Sequence, residues 1–242
     1  MLTTNPDQRA LESPRQTARW AAIFYTALVI FGGFAHVYVR GKVYVPGDAA
    51  ETASRISEHE SLVRFGVFSD LVGVVAYLLL AFAFHRLLRH ISRDLANVMV
   101  VLVAIAVGIT SLNMIFQVGG ILTATDPSYT QGLAFSDAQA LTLLLFDLQF
   151  YGYILVQVFT GLWLVPLALL AHKSNGFPKP LCWLLIIGCV CYLVDLLIHL
   201  MFPDAGRDSS DFVVATAIVA EMWMVGYLWF RGVGKKFVGA ET

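Results

Sequence analysis

From residue 20 to residue 39 the chain runs 20 residues without an Asp, Glu, Lys or Arg, and five further apolar stretches of similar length follow, four of them interrupted by a single Asp or Glu. A helix rises 1.5 Å per residue, so about 20 apolar residues cross a hydrocarbon core of about 30 Å. Soluble domains carry charge on roughly a quarter of their residues. This chain is 58% hydrophobic and 14% charged, which excludes an ordinary soluble domain. The expected fold is all-α: a polytopic transmembrane bundle of six helices.

Charges bracket the runs. Arg19 and Arg40 bound the first, Arg64 and Arg86 the second, and the third fits inside residues 95–125. Asp137 and Lys173 bound the fourth, Lys179 and Asp204 the fifth, Asp211 and Arg231 the sixth. The first run is longer than the roughly 7–15 residues of a signal-peptide core, so it reads as a retained span. The division expected is an N-terminal tail over 1–18, a membrane domain over 19–232 and a C-terminal tail over 233–242.

Lys and Arg set the orientation, because basic loops stay in the cytoplasm. Eleven of the 16 fall on one side: Arg9, Arg15, Arg19, Arg86, Arg89, Arg93, Lys173, Lys179, Arg231, Lys235 and Lys236. Arg40, Lys42, Arg55, Arg64 and Arg207 fall on the other, among nine acidic residues. Both termini are therefore expected in the cytoplasm. Trp20, Trp183 and Trp229 lie where an inner aromatic belt would put them. In the first outer loop Pro46 and Gly47 turn the chain. Asp48 is placed to cap a short surface helix, with Glu51 at the third position of a capping box.

The polar residues inside the runs are the functional signal, because bilayers penalise ionisable groups. Asp195 and His199 are four apart and share a helix face. Counted at 1.5 Å per residue from the outer boundary, His36 lies ~6 Å deep, His199 ~8 Å, Asp70 ~9 Å, Asp195 ~13 Å, and Asp147 and Glu221 ~15 Å. Asn113 and Gln117 fall in the same outer half, and the inner half of every span lacks charge. Gly66, Asp70, Gly73 and Tyr77 share a face, as do Ala106, Thr110, Asn113, Gln117 and Gly120, and Gly188, Tyr192, Asp195 and His199. Small residues beside polar ones mark helix–helix contacts in lipid. Asp147 and Gln149 are two apart and do not both face inward. A polar pocket in the outer half, with Asp70, Asn113, Gln117, Asp147, Asp195, His199 and Glu221 as binding candidates, is the expectation.

Three activities fit such a pocket. The first is binding of a lipid or small molecule, or support of a membrane partner, without catalysis. The second is a metal-dependent hydrolase of a lipid-like substrate, with His36, Asp70, Asp195 and His199 around zinc and Glu221 or Asp147 as general base. The third is transport of a small solute, which lacks a Gly/Pro-broken span pair in corresponding halves. A net charge of −1 argues against nucleic acid as a partner. Cys182, Cys189 and Cys191 form no CxxC pair and read as apolar packing. Phosphate-binding glycine loops and the Gly-x-Ser-x-Gly elbow are absent from the sequence. Protein partners and oligomeric state have no signature here.

VPGDAAETA at 45–53, FSDL at 68–71 and GLWLVPLALLAHKSNGFPKPLCWLLIIGCVCYLVD at 161–195 resemble a bacterial six-helix membrane family catalogued as a domain of unknown function. The resemblance covers residues 20–232 and implies fold and membrane location, with no catalytic residues attached. The family pattern implies a His near Gln149 and a Gly near Cys182; this chain departs at both. Ser69 and Asp70 with the histidines also resemble ceramidase-like membrane hydrolases. Those carry a His-x-x-x-His pair and seven spans, where this chain has Asp195 in place of one His.

Overall fold

Hydrocarbon offers a free backbone N–H or C=O no partner, so a chain of apolar runs must close its hydrogen bonds within helices. The structure, a computed structural model, describes residues 14–232, the side chains of 203–214 excepted. The tails expected over 1–18 and 233–242 lie outside the described residues up to 13 and from 233 on, as do the side chains of Asp204, Arg207 and Asp211. Helix α1 (Pro14–Gly33) runs on through a π-helical stretch (Phe34–Val39) into one further turn, α2 (Arg40–Val43). There follow α3 (Ala49–Glu58), α4 (Glu60–Leu88), α5 (Arg93–Thr125), α6 (Phe135–Leu162), α7 (Leu164–Ser174), α8 (Lys179–Met201) and α9 (Pro203–Phe230).

Among the described residues, five stretches are long and apolar enough to cross a membrane: Pro14–Val43, Glu60–Leu88, Arg93–Thr125, Phe135–Ser174 and Lys179–Met201. The apolar part of the sixth, Ala215–Phe230, is shorter. The fourth run is one span by length but two helices in form. Pro166 has no N–H for the Leu162 carbonyl, and α6 gives way to α7 at that turn.

The helices close a ring. α1 packs on α4, α4 on α5, α5 on α6, α6 on α8, α8 on α9, and α9 returns to α1. Close approach rests on small residues, as in other bundles that cannot draw on the hydrophobic effect between helices. A Cβ on Gly73 would stand 3.4 Å from the Gly32 nitrogen, and one on Gly188 3.1 Å from Ala217 Cα. Large apolar side chains such as Val75, Leu112 and Ile187 point outward, as lipid contact requires. Trp20, Trp183 and Trp229 are exposed at one end of the ring.

Two apolar cores divide the interior. The larger holds Tyr25, Phe84, Trp163, Leu167 and Leu185; the smaller holds Val39, Val43, Ile56, Val63, Ile121 and Phe146. Along α1 and α4 the residues between these cores carry the polar groups. The short surface helix is present as α3, and Asp48 caps it by accepting from Glu51 N at 2.9 Å. The Glu51 carboxylate turns to Arg55 Nε at 2.7 Å. α3 rests on α5 and α6 with Thr52, Ala53 and Ile56 buried, closing that end of the bundle.

Candidate functional site

A cavity of ≈ 290 Å³ lies between the two cores, walled by α1, α4, α5, α6, α8 and α9. Its wall on α1 runs from Leu28 and Val29 to Gly32 and Gly33, where the helix changes to π-helical winding. Such widened turns are frequent at functional sites because they re-aim the side chains they carry. Here the turn carries His36. Its Nε2 lies 3.0 Å from Asp70 Oδ1, and its ring lies against Tyr153 with centroids 4.0 Å apart. Ser69, beside Asp70, donates to the Phe31 carbonyl at 2.9 Å, tying α4 to α1 at this level.

Across the cavity Glu221 is clamped by two phenols. Tyr25 donates to Oε2 at 2.9 Å and Tyr192 to Oε1 at 2.8 Å, so α1, α8 and α9 meet at one carboxylate. Trp163 sits at the break between α6 and α7. It packs edge-on against Tyr77, centroids 5.2 Å apart, and edge-on against Tyr25 at 6.2 Å. Tyr77 is 8% exposed, lines the cavity and has no hydrogen-bond partner for its hydroxyl. Buried hydroxyls nearly always find a partner, so this one is free to bond a polar group that enters the cavity. Val37 and Ile218, both exposed, edge the cavity on α1 and α9, which places its mouth between those helices.

Gln157 links the cavity to a second polar group. It lines the cavity and donates to Asp195 Oδ2 at 2.9 Å. His199 Nδ1 lies 3.0 Å from the Asp195 carbonyl and 3.5 Å from its Oδ1, and Phe150 meets the imidazole edge-on at 5.6 Å. Asp195 and His199 are 1% and 2% exposed, so this pair sits behind the wall. Asp195 Oδ1 and Gln157 Oε1 are without hydrogen-bond partners.

A third group joins α2 to α6. The Arg40 guanidinium lies between the rings of Tyr44 and Phe150, 4.6 and 5.0 Å from their centroids. It donates to Gln149 Oε1 and, at 3.2 Å, to the Phe146 carbonyl. Tyr44 donates to Asp147. Asn113 Nδ2 donates to the Gln149 carbonyl at 2.7 Å. Gln117 is buried with Oε1 unpartnered. Gln149 faces in and Asp147 is only half-buried, the split their spacing requires.

Of the residues singled out by sequence, His36, Asp70 and Glu221 line the cavity. Asp195 touches it through Gln157, and Asn113, Gln117, Asp147 and His199 lie outside its wall. The four metal candidates form two separate pairs, His36 with Asp70 and Asp195 with His199. Among the described residues no three His, Cys, Asp or Glu side chains could share a metal ion. Sequence reasoning missed Tyr25, Tyr153 and Gln157, and it treated Arg40 as a loop charge where the structure places it on α2, bonded to α6. Tyr153 and Gln157 stand four apart on one face of an otherwise apolar run, a signal that was readable.

A family model described as a domain of unknown function, DUF4386, matches residues 20–232. The chain belongs to this family. The match takes in every wall of the cavity and carries no activity with it. No curated protein and no solved structure matches the chain.

Proposed function

We propose that this protein is a six-span bacterial inner-membrane protein that binds a lipid or other small amphipathic molecule in the cavity between α1 and α9. The sixth span is α9, the tails are cytoplasmic, and the cavity occupies the outer half of the bilayer. The basic residues of the α4–α5 and α7–α8 connections support that orientation. The observation that carries the reading is a cavity with apolar walls and a few convergent polar groups, the ordinary form of a ligand site. Mutual satisfaction of polar groups between helices is worth only about 0.6 kcal/mol per pair on average, too little to account for a carboxylate–imidazole pair and a doubly clamped glutamate. The mouth between Val37 and Ile218 suits a ligand arriving from the lipid phase.

The alternative, a metal-dependent hydrolase, needs His36, Asp70, Asp195 and His199 to converge, and their separate pairing favours binding without catalysis. Solute transport has no broken-helix pair to support it; the π-helical turn in α1 and the α6–α7 break are not in matching positions. Native mass spectrometry of protein released from nanodiscs tests the binding reading. One retained small molecule per chain, lost in Gly33→Leu, is the expected result. Gly33 lines the cavity and a Cβ there meets nothing within 4 Å, so the added side chain starts in open space. Stoichiometric zinc lost in His36→Ala would replace binding with the hydrolase.

A further inference from the structure

The cavity's chemistry also selects the charge of its occupant. Glu221 and Asp70 both line it, and among its described lining residues there is no Lys or Arg. The hydrogen-bond partners of Glu221 are two phenols, which hold the carboxylate in place and bring no positive charge. Four aromatic side chains, Tyr77, Tyr153, Trp163 and Tyr192, line the same space. Ring faces carry negative electrostatic potential, and aromatic enclosures with carboxylates are how proteins hold ammonium groups. An anionic head such as a fatty carboxylate or a phosphate would meet two carboxylates, with His36 on the wall and the Arg40 guanidinium behind it already held by Gln149 and the Phe146 carbonyl.

We propose that the cavity takes a lipophilic ammonium ion, its nitrogen beside Glu221 among the four aromatic rings and its hydrocarbon leaving through the mouth between α1 and α9. The assignment rests on the binding reading above and adds the ligand class. The unpartnered Tyr77 hydroxyl is then an acceptor for an N–H of a primary ammonium. The wall supplies no covalent step and none is invoked. Both a free amine and the ammonium headgroup of a membrane lipid present this chemistry.

Calorimetric titration of the full chain in phosphatidylglycerol nanodiscs, with empty discs as reference, separates the possibilities. The probes are hexylammonium, hexyltrimethylammonium, hexanol and hexanoate, which share a tail and differ in head. The expected result is that the ammonium probes bind about tenfold or more tighter than hexanol, as desolvated cation–π contacts imply. Hexanoate should be weakest, and Glu221→Gln and Tyr153→Leu should each erase the preference. Phosphatidylethanolamine in the discs competes with hexylammonium if a lipid headgroup is the occupant and leaves it unchanged if a free amine is. Hexanol or hexanoate binding as tightly as the cations overturns the ammonium assignment while leaving the cavity a binding site. No binding of any probe, with no retained molecule in native mass spectrometry, overturns both. The ranking of probes on the unaltered chain decides the matter even if either variant fails to fold.

Discussion

Gln157 on α6 donates to Asp195 Oδ2 on α8 at 2.9 Å, from a side chain that also lines the central cavity. Asp195-x-x-x-His199, the stretch that looks most like a metal motif, is therefore fastened behind the cavity wall. The pair is buried on both sides, and breaking it has a sign that can be worked out. Asp195→Leu leaves the Gln157 amide without an acceptor, at a cost of about 1–3 kcal/mol. Gln157→Leu combined with Asp195→Leu should recover part of that loss. The coupling in a double-mutant cycle of detergent unfolding is expected between about 0.6 and 1.7 kcal/mol, the average and the largest values found for interhelical hydrogen bonds. Additive losses would mean that the two side chains do not interact.

Gly152 and Gly108 make a matched pair for packing. A Cβ on Gly152 would fall on the Asn113 side-chain amide, whereas one on Gly108 meets nothing within 4 Å. Asn113 is held by the Gln149 carbonyl and has little room to give way. Gly152→Ala is expected to destabilise by about 1–3 kcal/mol, as overpacking does. Gly108→Ala should be neutral or stabilising by up to about 1 kcal/mol through helix propensity. Thermal unfolding of the two variants side by side checks the contrast.

Arg40→Lys should fail to substitute. A lysine ammonium cannot donate to Gln149 and to the Phe146 carbonyl in the guanidinium's fixed geometry while lying flat between Tyr44 and Phe150. The expected loss is about 1–2 kcal/mol, the scale of a desolvated cation–π contact. Hydrogen exchange should show it first in α2 and the neighbouring turns of α6. Equal stability of the two proteins would contradict the sandwich.

The orientation is open to a labelling test. Glu58, at the end of α3, and Lys173, at the end of α7, are exposed on opposite ends of the bundle. Glu58→Cys is expected to react with a membrane-impermeant maleimide in intact cells, and Lys173→Cys only after permeabilisation. The reverse pattern would invert the topology and put the cavity in the inner half of the bilayer.

The helices were readable because charge brackets every apolar run and a bilayer allows no other way to satisfy the backbone. The faces were readable too: Gly66, Asp70, Gly73 and Tyr77 are all buried along one side of α4. The clamp on Glu221 was not, because Tyr25 and Glu221 are 196 residues apart and no spacing rule reaches that far. Depth counting put Asp195, His199 and Asp70 at similar levels, but level is not azimuth. The ring order of the helices, known only from packing, separates Asp195 with His199 from His36 with Asp70. The π-helical turn left only the adjacent Gly32 and Gly33 as a trace, and glycine pairs have many uses.

On the binding reading, the space bounded by His36, Tyr153, Tyr192 and Glu221 holds a molecule from the membrane. An electron cryomicroscopy map of the protein in native-lipid nanodiscs would show that molecule. Non-protein density is expected, beginning beside Glu221 and extending out between Val37 and Ile218. A cavity closed by α1 against α9, with those side chains filling the space beside Glu221, would contradict it.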